Sequence, residues 1–136
     1  MCIRDRARIA RSGEEVTLIC YGPMVDTCLE AAKEASQEGR KLEVIDVRSL
    51  SPLDMATVYE SVRRTTRAIV VQEAPRTQGV GAEIAARLGE ELYYVMEAPV
   101  LRVTGWSTPY PPAKAEGEHI PDVDRILDAV DRSLAF

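Results

Sequence analysis

The sequence predicts an open α/β sandwich of three layers, in which helices cover both faces of a mostly parallel five-stranded sheet. Three observations carry this. Short apolar runs rich in β-branched residues alternate with segments of helical period. The runs are nearly continuous, as strands buried on both faces require. Glycine and proline stand where the period changes. Alternation of this kind implies right-handed crossovers within one sheet.

The first strand is Glu15-Val16-Thr17-Leu18-Ile19-Cys20-Tyr21, closed by Gly22-Pro23. Residues 24–38 then read as a helix, with Val25, Cys28, Leu29, Ala32 and Ala35 on one stripe and Glu30, Lys33, Glu34 and Glu38 opposite. Gly39 supplies the stop. Leu42-Glu43-Val44-Ile45-Asp46-Val47 is the second strand, and Asp54 is the expected N-cap of a helix over 54–65. Ala68-Ile69-Val70-Val71-Gln72 is the third strand, and Gly79-Val80-Gly81 opens a helix through Leu88. Leu92-Tyr93-Tyr94-Val95-Met96 and Val100-Leu101-Arg102-Val103 read as the last two strands. Only Glu97-Ala98-Pro99 separates them, too few residues for a crossover helix. The fifth strand is therefore expected as an antiparallel edge or elsewhere in the order. A proline-rich arm, Gly105-Trp106-Ser107-Thr108-Pro109-Tyr110-Pro111-Pro112, precedes a closing helix from Asp122, striped by Val123, Ile126, Leu127, Val130 and Leu134.

Size and charge narrow the function classes. A chain of 136 residues suggests one domain with a real core. Met1-Cys2-Ile3-Arg4-Asp5-Arg6 is expected to be a non-native or disordered leader, and the domain to occupy 7–136. A net charge of −5 argues against a nucleic-acid partner. No apolar run approaches the roughly 20 residues of a membrane span. The three cysteines, Cys2, Cys20 and Cys28, are odd in number and lack paired spacing, so a disulfide framework is not expected and a reducing, cytoplasmic compartment is. The single histidine disfavours a His/Cys zinc cluster.

Each candidate for chemistry has a plainer reading beside it. The loop Gln78-Gly79-Val80-Gly81 follows a strand and opens a helix, the setting of a phosphate cradle. However, Ile84 stands where G-x-G-x-x-G needs its third glycine, and close helix–sheet packing explains the glycines better. His119 reads as a solvated surface residue, since a general base would need an orienting carboxylate. Cys20 and Cys28 read as buried and inert. Glu73 leaves the third strand at the carboxyl edge of the sheet, where open α/β folds bind ligands. It reads either as an interface or active-site rim, or as a carboxylate capping the next helix. Arg102, inside an apolar strand, calls for a partner, with Glu97, Glu73 or Asp46 as candidates for an ion pair. Trp106 and Tyr110 make the arm an expected interface, beside the plainer reading of a loop folded over its own domain. No metal site, catalytic triad or carboxylate pair assembles from these residues.

Read in order, the segments resemble the transketolase C-terminal domain family. Val16-Thr17-Leu18-Ile19 with Tyr21-Gly22, then Val44-Ile45-Asp46-Val47-Arg48-Ser49-Leu50-Ser51-Pro52-Leu53-Asp54, is similar to the family's opening and its D-x-R-x-L-x-P-x-D signature. Val70-Val71-Gln72-Glu73-Ala74-Pro75, Gly79-Val80-Gly81-Ala82-Glu83-Ile84-Ala85 and Glu97-Ala98-Pro99-Val100-Leu101-Arg102-Val103-Thr104-Gly105 continue the likeness. Thr108-Pro109-Tyr110-Pro111-Pro112 and Ile120-Pro121-Asp122 narrow it to the β subunit of the decarboxylating component of 2-oxo acid dehydrogenase complexes. Glu73-Ala74-Pro75 and the Tyr-Pro-Pro run lean toward the branched-chain type over the pyruvate type. The family commonly has Asp where this chain has Ser107, and the likeness loosens around residues 115–119.

The resemblance implies a heterotetramer of two α and two β subunits. In such enzymes thiamine diphosphate and magnesium lie between the α subunit and an N-terminal β domain, and that domain supplies the glutamate that activates the cofactor. This chain by itself is then expected to bind neither cofactor nor metal, to carry no catalytic residue and to be inactive alone. It would supply the contact with a second β subunit and a docking surface for the dihydrolipoyl acyltransferase. Glu73, Arg102, Trp106, Tyr110 and Phe136 are the expected contact residues, Phe136 as a terminal aromatic. The alternatives are the same domain of a transketolase or deoxyxylulose phosphate synthase, a free-standing nucleotide-binding module, or a structural partner without a catalytic half.

Overall fold

The computed structural model describes residues 5–136, so Cys2 and most of the expected leader lie outside the described residues. The strongest apolar runs take the middle of the sheet. In β2 (Val16–Cys20) every residue is buried. It lies parallel to β3 (Leu42–Asp46) on one side and to β4 (Ala68–Pro75) on the other. β1 (Arg8–Arg11) and β5 (Leu101–Gly105) complete the order β1-β3-β2-β4-β5.

The two faces have separate cores. On one, α1 (Met24–Gln37) and α5 (Val123–Leu134) pack Cys28, Ala32, Ile126 and Val130 against Leu18, Val44, Ile69 and Val103. On the other, α2 (Met55–Thr65) and α3 (Val80–Leu92) pack Val58, Val62, Ile84 and Leu88 against Ile19, Ile45 and Val70. This is the expected three-layer α/β arrangement. Local chemistry sets the helix ends. Asp54 caps α2 by accepting the Thr57 N–H at 3.2 Å, and Asp122 caps α5 by accepting the Arg125 N–H at 2.8 Å. Gly39, at φ 82°, takes the left-handed position after α1.

Two elements differ from expectation. Leu92-Tyr93-Tyr94-Val95-Met96 is not a strand. Leu92 is the last residue of α3, where it extends the buried stripe of Ile84 and Leu88. The N–H groups of Val95 and Met96 both turn back to its carbonyl. Helical burial of Leu92 outweighs the strand preference of Tyr-Tyr-Val, whose side chains are exposed. α3 is then itself the crossover, so β5 lies parallel to β4 at one edge of the sheet. The antiparallel strand is β1, which pairs with β3 at the opposite edge. Its four residues are short and charged, with Arg8 and Ile9 exposed, and they leave no apolar pattern to read.

The carboxyl ends of β2, β3, β4 and β5 open onto one side of the sheet. Tyr21, residues 76–79 and the arm after Gly105 meet there. A short α4 (Glu116–His119) and its preceding turn hold the arm against the domain.

Candidate functional site

The side chain that organises this edge is Gln72. It is fully buried on β4, and its amide oxygen accepts the Gly81 N–H at 2.7 Å and the Tyr21 hydroxyl at 3.3 Å. Its amide nitrogen donates to the carbonyls of Ala74 at 3.3 Å and Pro75 at 3.0 Å. Gln72, not Glu73, therefore caps the start of α3. The two glycines make room for it. A Cβ on Gly81 would lie 2.8 Å from the Gln72 amide oxygen and 3.1 Å from Val70, and one on Gly79 would also run into the Gln72 side chain. The loop does not fit a diphosphate, because the side chain of Gln72 fills its concave face and occupies the Gly81 N–H. Among the described residues, no group of three or more His, Cys, Asp or Glu is placed to hold a metal ion.

Glu73 is half-buried beside the hydroxyls of Tyr21 and Tyr110. Burial, then the Glu73 charge, pushes the Tyr21 phenol up. Tyr110 donates to the Glu116 carboxylate, and that bond chiefly raises its pKa to about 12. The Tyr110 ring stands edge-on to His119, with centroids 5.1 Å apart. His119 is the clearest correction to the sequence reading. It is 4% exposed, not solvated. The arm folds back over the end of β5, and a Cβ on Gly105 would come within 2.9 Å of His119 Nε2. The firmer limit is the backbone, since that Cβ would lie 2.2 Å from the Glu73 carbonyl oxygen, so only glycine fits between β4 and the imidazole.

Trp106 crosses to α5. Its indole N–H donates to the Glu118 carbonyl at 2.9 Å, and the Arg125 guanidinium sits 4.6 Å from its ring centroid. Arg125 also donates to the Thr104 carbonyl at 2.5 Å. Arg102 makes no ion pair with Glu97, Glu73 or Asp46. Its guanidinium reaches out of the sheet to the Arg76 carbonyl at 3.1 Å, and Arg76 returns a bond to the Arg102 carbonyl at 3.2 Å. Glu97 pairs instead with Arg67 at 2.5 Å, and Asp46 with Arg8 at 3.5 Å. Ser107 lies 3.1 Å from the Thr77 hydroxyl. A cleft of about 650 Å³ runs along β5 between these arginines, Trp106 and α5.

The fold therefore gathers Glu73, Arg102, Trp106 and Tyr110 at or near one edge and leaves Phe136 apart. Phe136 is exposed beyond the far end of α5, close to where Arg67 bonds the Ser133 carbonyl. A twelve-residue helix, about 18 Å long, separates it from the arm. Cys20 and Cys28 are fully buried, and Cys20 donates to the Ile45 carbonyl at 3.3 Å. Sequence reading passed over Gln72 and Arg125, and also Glu43. Glu43 is fully buried on β3 and bound by Arg64 at 2.8 Å, the Gly13 N–H at 3.2 Å and the Ser61 hydroxyl. A glutamate inside the apolar run Leu42-Glu43-Val44-Ile45 was the signal for it.

The family "Transketolase, C-terminal domain" matches residues 5–126 of the chain. The chain is 54% identical over 130 residues to the pyruvate dehydrogenase E1 component subunit beta of Leifsonia xyli subsp. xyli, covering 96% of this chain and 39% of that protein. It is 50% identical over 129 residues to the 3-methyl-2-oxobutanoate dehydrogenase subunit beta of Mycobacterium tuberculosis, covering 94% and 37%. A solved structure described as a split gene transketolase, inactive beta4 tetramer, superposes with a TM-score of 0.84 at 29% identity, over 97% of this chain and 42% of that one. The chain thus spans about two fifths of the length of these relatives.

Proposed function

Since this chain belongs to the transketolase C-terminal domain family, we propose that it is the assembly domain of a thiamine-diphosphate-dependent 2-oxo acid dehydrogenase β subunit. The observation that carries this reading is the identity of 54% and 50% to two dehydrogenase β subunits along nearly the whole chain. In the complete enzyme, a 2-oxo acid would be oxidatively decarboxylated and its acyl group passed to a lipoyl arm. The residues here do not fit the cofactor, so no step of that reaction is assigned to them. Their role is contact: with the α subunit, with a second β subunit and with the acyltransferase.

The site geometry supports a division of that surface. Glu73, Tyr110, Glu116 and Glu118 lie on or beside the arm and suit a basic docking domain. Phe136 sits at the other end of the domain and would serve a separate contact. The Glu73-Ala74-Pro75 and Tyr110-Pro111-Pro112 segments favour a branched-chain substrate. The relatives carry both the pyruvate and the 3-methyl-2-oxobutanoate names. No helix among the described residues is long and apolar enough to cross a membrane, and the proposed compartment is the cytoplasm.

Calorimetric titration of the chain with thiamine diphosphate and magnesium tests the assignment. No heat of binding is the expected result. Saturable binding would overturn it and move attention to Gly79 and Gly81. Sedimentation adds a second check, because an assembly domain freed of its partners should self-associate; a clean monomer at high concentration counts against the role.

A further inference from the structure

The order β1-β3-β2-β4-β5 leaves β5 with a strand on one side only. An open edge is a template for another chain. Here two arginines cover it. Arg76 donates to the Arg102 carbonyl and Arg125 to the Thr104 carbonyl. In a strand, a residue's N–H and C=O point to the same side, so Arg102 and Thr104 face away from β4 with both groups. The cleft along this edge is lined by residues 101–107 without a break, and Arg76, Arg125 and Arg132 rim it. Asp124 and Asp128 also face it, and Arg132 lies 3.9 Å from Asp128. Among the described residues, Arg76, Arg102 and Arg125 have no carboxylate within ion-pair distance, although the chain carries a net charge of −5.

We propose that the β5 edge takes up an extended acidic peptide segment of a partner chain as an added strand, its carboxylates replacing the Arg102 and Thr104 carbonyls as acceptors for Arg76 and Arg125. The exchange balances. Each guanidinium gives up a neutral acceptor for a charged one, and each freed carbonyl accepts an N–H from the incoming strand. Alternate side chains of that strand would meet Trp106 on one face of the sheet. A second copy of this edge does not fit, because two-fold pairing would set Arg76, Arg102 and Arg125 against themselves. A nucleic-acid backbone does not fit, because it has no amide N–H groups to pair with the freed carbonyls of β5. The proposal rests on the geometry of the edge and stands apart from the assignment to a dehydrogenase.

Trp106 is the only tryptophan of the chain and lies in the cleft, so its emission reports occupancy. The probe is a blocked hexapeptide of alternating glutamate and valine. The comparisons are the same peptide N-methylated at alternate amides, inorganic phosphate, and the Arg76→Gln chain. Arg76 is exposed, whereas Arg125 stacks on the reporter and is left intact. A saturable change in emission is expected, weakened at least tenfold by N-methylation and by Arg76→Gln. Equal binding of the N-methylated peptide to the unaltered chain would overturn strand addition, since that comparison involves no variant that could misfold. Displacement of the peptide by phosphate at equal concentration would reduce the site to simple anion binding. Peptide-blocked self-association would assign the edge to a second copy.

Discussion

The side-chain oxygen of Gln72 lies 2.7 Å from the N–H of Gly81, so the end of β4 caps the first turn of α3 from inside the protein. The same amide serves Tyr21, Ala74 and Pro75, which ties three segments of the carboxyl edge to one buried side chain. Gln72→Leu keeps the volume and strands those groups. A loss of about 1–3 kcal/mol is expected, the cost of burying polar groups without partners. Gly81→Ala should cost about as much by another route, because Gln72 and Val70 must yield to the new methyl. Urea unfolding checks both, with lowered midpoints at unchanged slope.

Glu43 holds the opposite end of the sheet. Its carboxylate gathers Arg64, Ser61 and the Gly13 N–H, and Ser61 passes the network to Thr17 at 2.8 Å, which lies 2.7 Å from Thr65. Glu43→Ala removes the acceptor that all of them share. A loss of about 2–3 kcal/mol is expected, near the upper range for hydrogen bonds to a charged group. Arg64 is half-exposed, so water recovers part of its share. Thermal unfolding of Glu43→Ala and Arg64→Ala should rank the first as clearly the more harmful.

The parts of the fold that were legible in the sequence are those that local pattern decides. β2 and β3 are buried runs, α1 and α5 carry their apolar stripes, and Asp54 marks the start of α2. β1 was not legible, because Arg8 and Ile9 lie exposed on an edge and only the pairing with β3 makes them a strand. Leu92-Tyr93-Tyr94-Val95-Met96 misled because strand propensity is local, while burial of Leu92 against the sheet is not. The site was harder still. His119 is buried by an arm that turns back over Gly105, and Gln72 acts across nine residues. Nothing in residue type or spacing marks either role.

The two described thiols should be chemically silent. The neighbouring Cys28 thiol, then burial, pushes the Cys20 thiol far up, and both residues are fully buried. A thiol without thiolate is a poor nucleophile. Of the three cysteines in the chain, Cys20 and Cys28 should resist iodoacetamide in the native state and react only on unfolding. Peptide mapping after native labelling checks this. Rapid modification of Cys28 would mean that α1 lifts from the sheet.

Asp54 gives the fold an acid limit. Burial alone would raise its pKa, but the hydroxyl and N–H of Thr57, the Ala7 N–H at 3.0 Å and the nearby Arg6 hold it below the ordinary 3.8. The sign follows from the proton count. Near that value the unfolded chain binds the proton more readily than the folded one, so folding is favoured above pH 3.8 and that contribution fades as pH falls through the folded value. Asp54→Asn keeps a cap that does not titrate. The stability gap between the two proteins should therefore be constant from pH 5 to 7 and shift toward the asparagine variant below about pH 4. Unfolding midpoints across that range check it, and parallel curves would show that Asp54 is not the group responsible.

The arm offers a test that separates packing from contact. In the chain alone, Trp106 is 55% exposed and holds the Glu118 carbonyl and the Arg125 guanidinium. Trp106→Ala should then cost about 1 kcal/mol of folding stability, the size of one exposed cation–π contact with a partly wet hydrogen bond. If the arm is buried by a partner in the proposed assembly, the same change should weaken association by about 2 kcal/mol or more, as truncating a central aromatic does. Tyr110→Phe should leave folding nearly unchanged, because the phenol and its Glu116 partner are open to water in the chain alone. Unfolding of the chain, set against sedimentation of the reconstituted subunits, reads the two quantities separately. Equal small losses in both would place Trp106 outside the contact and return the arm to its own domain.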